Sequence, residues 1–133
     1  MTTNATSATD QSSKLSFAAL PKESGTAYQS WKFGALAKIL KCGPDPSLSM
    51  IYIREMDDMS ISNDDLAQLL PAECTRLDVS VFAELVDLLQ KDAAHFSLLE
   101  NIMTSVRFGC GRHVFRALDL HFRNEGLRRS ASE

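Results

Sequence analysis

The chain has 133 residues, of which 44% are hydrophobic, 23% charged and 8% aromatic, as in a single globular domain. Its formal net charge of -3 gives no overall attraction to nucleic acid or anionic lipid, so composition favours neither as a partner. The cysteines are scattered and odd in number, and no apolar run reaches about 18 residues. We therefore expect reduced thiols, no membrane contact and an intracellular, most simply cytoplasmic, protein.

The N-terminal segment is small and polar, without apolar periodicity. Such a segment buries too little surface to offset the entropy of ordering, so we predict a disordered arm over 1–16. It has neither the apolar core of a signal peptide nor the arginines of a transit peptide. A helical domain is expected over 17–125, followed by a basic and polar tail over 126–133.

The first predicted helix follows Gly25, and Ser24 or Thr26 can cap it. The pair Gly43 and Pro44 is typical of a helix end. Apolar side chains recur along it at helical spacing: Tyr28, Trp31, Ala35, Leu36 and Ile39. The aromatics fit either a core-facing stripe or a base-stacking surface. Core packing is favoured because stacking surfaces normally carry interleaved Arg and Lys.

The next stretch, 44–62, contains two prolines and only four residues of β-type composition, at 50–53. We predict a long irregular loop carrying an extended piece. Asn63 followed by two aspartates then indicates the start of a short helix, which ends near Leu70 before Pro71.

Two helices are predicted next, opened by Asp78 and by Asp92. The first carries Phe82, Leu85, Val86 and Leu89 at helical spacing, and the second carries Phe96, Leu99, Met103 and Val106. The segment 109–111, Gly-Cys-Gly, interrupts the chain. A last helix carries Val114, Phe115, Leu118, His121 and Phe122 and ends at Asn124 or Gly126. The predicted class is all-α, a single domain of four to five short helices.

Candidate metal, thiol and acidic sites are weak in this sequence. Cys110, His113 and His121 lie close along the chain, but the two histidines are eight apart and no fourth ligand has a matching spacing. Cys110 at a helix N-terminus fits either a thiol of lowered pKa or a small residue in a tight turn, and the turn is favoured. The acidic pairs at 57–58 and 64–65 do not match a calcium loop. We expect no catalytic site, cofactor or small-molecule substrate.

The C-terminal region carries the only charge asymmetry: Arg112, Arg116, Arg123, Arg128 and Arg129. The first three lie along one side of the last predicted helix, at steps of four and seven. Such a stripe is able to bind the phosphates of RNA. The alternative is a solvated face whose cations favour the helix C-terminus.

Two stretches together resemble the N-terminal region of copia-type retrotransposon gag polyproteins. The first is LPKESGTAYQSWKF at 20–33, a short apolar segment, a glycine turn and Tyr-x-x-Trp-Lys; the second is GCGRHVFRALDLHF at 109–122. Phe115 stands where that family commonly has tryptophan. The resemblance implies a non-enzymatic, capsid-type helical module that self-associates around RNA, as a fragment or a domesticated copy. The fold would then rest on an aromatic core of Tyr28, Trp31, Phe115, Leu118 and Phe122.

Overall fold

The computed structural model describes residues 14–132, with side chains from 14 to 124. Over that range there are six α-helices, two 3-10 turns and no strand, so the predicted all-α class is confirmed with one helix more than the expected four to five. The helices are α1 (Thr26–Cys42), α2 (Pro46–Asp57), α3 (Asn63–Leu69), α4 (Thr75–Lys91), α5 (Phe96–Ser105) and α6 (Gly111–Ser132). The 3-10 turns, Ala72–Cys74 and Ala93–His95, lead directly into α4 and α5.

The entry segment before α1 packs on the core. Leu15 is only 6% exposed, and the Cys42 thiol at the end of α1 donates to the Lys14 carbonyl at 3.3 Å. The Trp31 indole N–H donates to the Ala18 carbonyl at 2.8 Å. The predicted disordered arm is therefore wrong for residues 14–16, because Leu15 supplies apolar surface that the helices bury. The rest of that arm lies outside the described residues.

Helix α1 is confirmed, and its buried face is the predicted stripe of Tyr28, Trp31, Ala35 and Ile39. Gly25, with a positive φ of 81°, precedes it, and no side chain caps its first turn, so the predicted cap by Ser24 or Thr26 is wrong. Two aromatic contacts join this helix to α6. The ring centroids lie 4.4 Å apart for Tyr28 and Phe122, and 5.7 Å apart for Trp31 and Phe115. All five members of the expected aromatic core are buried.

The predicted loop over 44–62 is wrong for most of its length, since 46–57 form α2. Asp45 caps this helix by accepting from the Ser47 N–H, and Pro46 occupies its first turn, where a missing N–H is harmless. Ser49, Tyr52 and Met56 are buried at steps of three and four, which is a helical period. The prolines marked a helix start rather than a loop.

The short helix α3 is confirmed, with the Ser62 hydroxyl accepting from the Asp65 N–H at its start. Helix α4 is also present, but Asp78 does not cap it. Asp78 lies within its first turn, is buried, and accepts instead from the backbone N–H of Arg112 at 3.0 Å. A carboxylate from α4 therefore caps the N-terminus of α6, where it also complements the helix dipole.

Helix α5 has a different buried face from the predicted one. Leu98 and Ile102 are buried, whereas Phe96 and Met103 are exposed. Asp92 does cap the 3-10 turn leading into the helix, accepting from the Ala94 N–H at 3.0 Å. The apolar arc of α5 is wider than the face that α4 and α6 cover, so its edge stays in solvent.

Helix α6 crosses α4 at close range and forms the centre of the domain. A Cβ on Gly111 would lie 2.5 Å from the Asp78 carbonyl oxygen, so glycine permits this approach. Val114, Phe115, Leu118 and Phe122 are buried, as the predicted helix requires. The helix continues to Ser132 rather than ending at Asn124 or Gly126. The predicted tail is thus helical over 126–132.

Candidate functional site

Arg112, the first arginine of the predicted stripe, is buried in the protein. Arg112 is 1% exposed, and its guanidinium donates to the Leu66 carbonyl at 2.6 Å, the Tyr52 carbonyl at 3.3 Å and the Glu55 carboxylate at 2.8 Å. The guanidinium carbon also lies 5.0 Å from the centroid of the Tyr52 ring, in a cation–π contact. Arg112 therefore joins α2 and α3 to α6.

Arg116, one turn further along α6, is buried as well. Its guanidinium donates to five acceptors, namely the carbonyls of Glu55, Met56, Asp58 and Ile61 and the side-chain oxygen of Asn63, at 2.6–3.1 Å. Two of these carbonyls, those of Glu55 and Met56, belong to the last turn of α2, where the regular helical hydrogen bonds end, although the Asp58 N–H also donates to the Glu55 carbonyl at 3.2 Å. A guanidinium carries five N–H donors, and all five of those on Arg116 bind oxygens of the 55–63 segment.

The prediction of a phosphate-binding stripe is therefore wrong for Arg112 and Arg116, because both guanidinium groups are already bound by protein oxygens. Arg123 is exposed. The side chains of Arg128 and Arg129 lie outside the described residues.

A buried carboxylate lies next to Arg112. Asp78 accepts from the Tyr52 hydroxyl at 2.6 Å as well as from the Arg112 N–H. Burial raises the pKa of Asp78, although these hydrogen bonds and the nearby guanidinium oppose the shift. Burial, and then the carboxylate, raise the pKa of the Tyr52 phenol well above its usual range. Through these hydrogen bonds the cluster joins α2, α4 and α6, so its role is structural.

The described residues form neither a metal-binding cluster nor a thiol of lowered pKa at Cys110. Among residues 14–132 no three His, Cys, Asp or Glu side chains are grouped to hold a metal ion. Burial raises the pKa of the Cys110 thiol, so the hypothesis of a lowered pKa at the helix N-terminus is wrong. Of the acidic pairs, Asp57 binds Lys32 and Asp58 accepts from Ser60 within its own turn.

A groove of about 770 Å³ runs along the solvent side of α6, between α5 and the 56–63 segment. At one end Lys32 donates to Asp119 at 2.9 Å and to Asp57 at 3.0 Å, and Tyr28 donates to the other oxygen of Asp119. Burial alone would lower the pKa of Lys32, but the two carboxylates outweigh it and raise it. Burial and Asp119 likewise raise the pKa of Tyr28. The two carboxylates therefore keep the Lys32 ammonium charged at neutral pH.

The turn before α6 presents an aromatic side chain to solvent. Phe108 is 91% exposed, in a β-turn closed by a hydrogen bond from the Cys110 N–H to the Arg107 carbonyl at 3.1 Å. Gly109 has the positive φ, 87°, that a type II turn requires at its third residue. The Phe108 ring makes a T-shaped contact with Phe82 on α4, with 4.9 Å between the ring centroids. Val79, one turn earlier on α4, is also exposed.

A second hydrogen bond holds this turn. The Arg107 N–H donates to His113 Nδ1 at 3.2 Å, so the imidazole is neutral and carries its proton on Nε2. Burial lowers the pKa of His113, and the Arg116 guanidinium lowers it further, while Asp64 opposes them. The sequence indicated His113 as a candidate metal ligand or as a base near the Cys110 thiol, and it did not single out Phe108. A bulky apolar residue directly before a Gly-containing turn was the available signal.

No family model matches the chain, and no curated protein or solved structure matches it. The resemblance to gag polyproteins therefore stays a prediction. Over residues 14–132 no helix is both long and apolar enough to cross a membrane.

Proposed function

We propose that this chain is a non-enzymatic helical interaction domain that self-associates through exposed apolar helix faces, as the resemblance to copia-type gag implies. The observation that carries the proposal is Phe108. A phenylalanine ring held almost entirely in water by a closed turn costs hydration free energy that docking recovers. Because the backbone of the turn is already fixed, little further conformational entropy is lost on binding.

The surface around Phe108 extends the apolar area. On α4, Val79, Phe82 and Val86 are spaced at three and four residues, so they lie along one face of the helix. Val79 is exposed and the other two are half-buried. On α5, which packs against α4, Phe96 and Met103 are exposed as well. We call Val79, Phe82, Val86 and Phe108 the Phe108 surface.

The two stretches that carry the gag resemblance contribute to one core. Residues 20–33 provide Tyr28 and Trp31, and residues 109–122 provide their ring partners Phe122 and Phe115. This pairing supports a structural role for both motifs. It leaves the outward faces of α4, of α5 and of the 107–110 turn for contacts.

The state of the polar groups supports a role without catalysis. Two charged side chains that line the groove, Lys32 and Arg116, are bound to carboxylates and to backbone carbonyls. A general acid or base needs a proton-transfer group that is free to reach a substrate. The same engagement removes two arginines from any phosphate-binding surface.

The experiment is light scattering after size exclusion on the full chain over a concentration series, with and without single-stranded RNA. We expect the mass to grow with protein concentration in the absence of RNA. A monomer at every concentration would contradict self-association. A monomer that shifts only with RNA and reverts at high salt would favour a nucleic-acid-binding module instead, because phosphate contacts weaken steeply with salt.

A further inference from the structure

We propose that protonation of His113 opens the 107–110 turn, so that the presentation of Phe108 depends on pH. The effect on the turn stands on the geometry alone, whereas its effect on association rests on the proposed function. NMR measures the effect on the turn, and light scattering measures the effect on association.

The device consists of one hydrogen bond across the start of α6. In the neutral form, His113 Nδ1 accepts the Arg107 N–H at 3.2 Å and joins the first residue of the turn to the helix. Once protonated, both ring nitrogens are donors, and the Arg107 N–H then faces a second N–H. The contact becomes repulsive, and either the ring or the turn has to move.

Two further backbone hydrogen bonds hold the turn. The Cys110 N–H donates to the Arg107 carbonyl at 3.1 Å, the Cys110 carbonyl accepts from the Val114 N–H at 3.2 Å, and the Phe108 ring contacts Phe82. Because Phe108 is 91% exposed, almost no buried apolar area opposes its displacement. The Arg107–His113 hydrogen bond is therefore a major restraint on the orientation of Phe108.

The charges around His113 set the direction of the pH response. Arg116 on α6 disfavours a second cation, Asp64 on α3 favours it, and burial disfavours it most. Helix α5 lines the groove near His113 with the uncharged Asn101 and Ser105, and the carboxylate of Asp57, which also lines it, is bound to Lys32. The folded pKa lies below the usual 6.5, so the closed turn is fully favoured above that pH. It is lost as pH falls through the lowered folded value.

The test follows two NMR signals in the ¹⁵N-labelled full chain from about pH 7.5 to about pH 4.5, the range in which histidine titrates. We expect the Arg107 amide shift to follow the His113 ring titration, and its protection from exchange to fall at least about tenfold below the midpoint. In His113→Asn the amide oxygen replaces Nδ1 as an acceptor that does not titrate, so the Arg107 signal should become independent of pH. In the control His121→Asn, the wild-type dependence should persist.

Two results would overturn the proposal: an Arg107 amide that ignores the His113 titration, or the same pH response in His113→Asn. Light scattering at both ends of the range then addresses association separately. A turn that opens while the protein stays associated at both pH values would support the pH switch and contradict its control of association, whereas a monomer at both pH values would contradict the proposed function.

Discussion

At the residue scale, the two inward arginines are the main departure from what the sequence indicates. Steps of four along a helix placed Arg112 and Arg116 on one side, but periodicity cannot say what lies opposite that side. The opposing group is a set of backbone carbonyls at the end of α2 and in the 58–61 segment, and they converge on Arg116 because α2 is a helix that ends beside it. Because the sequence did not predict α2, it could not predict that Arg112 and Arg116 bind to it.

Arg116→Ala should lower the free energy of unfolding by about 3–5 kcal/mol, because it removes all five hydrogen bonds of this guanidinium, among them those to the Met56 and Ile61 carbonyls. Arg123→Ala, an exposed arginine on the same helix, should change it by no more than about 0.5 kcal/mol. Urea unfolding followed by circular dichroism measures both. Equal, small effects of the two substitutions would show that the buried guanidinium is not a structural link.

At the element scale, the buried face of a helix was predictable where its apolar residues form one narrow stripe. It was not predictable where neighbouring helices decide which apolar residues are covered. Helix α1 followed its stripe because Trp31 and Ile39 have a single face to bury. In α5 the apolar arc exceeds the buried face, so the choice of Leu98 over Met103 is made by packing against α4 and α6. Pro46 led to the wrong prediction of a loop, because proline is common both in loops and in the first turn of a helix.

Trp31 is one of the side chains of α1 that hold the entry segment on the core. Trp31→Phe keeps an aromatic ring but loses the hydrogen bond to the Ala18 carbonyl, so we expect a loss of about 1–2 kcal/mol in the free energy of unfolding. Trp31→Ala also loses the packing against Phe17 and Phe115 and should cost about 3–5 kcal/mol. Chemical denaturation followed by circular dichroism compares them. A Trp31→Ala protein as stable as wild type would contradict the core assignment.

At the scale of the whole molecule, the buried polar side chains of the described residues have hydrogen-bond partners except the Ser49 hydroxyl, whereas several large apolar side chains are exposed. The sequence was sufficient for the all-α class and for the aromatic core that joins α1 to α6. It did not indicate the Phe108 surface, because exposure of a side chain depends on how α4, α5 and the turn pack together. The candidate site is thus a property of the assembled fold rather than of any motif.

The measurement that tests the account most directly compares Phe108→Ser with Phe33→Ser by light scattering over a concentration series. Phe33 is 81% exposed on α1 and is the matched control for removing an exposed ring. We expect both variants to unfold at nearly the wild-type temperature, and only Phe108→Ser to weaken association, by at least about tenfold in dissociation constant. If Phe108→Ser associates as tightly as Phe33→Ser and wild type, self-association through the Phe108 surface is contradicted.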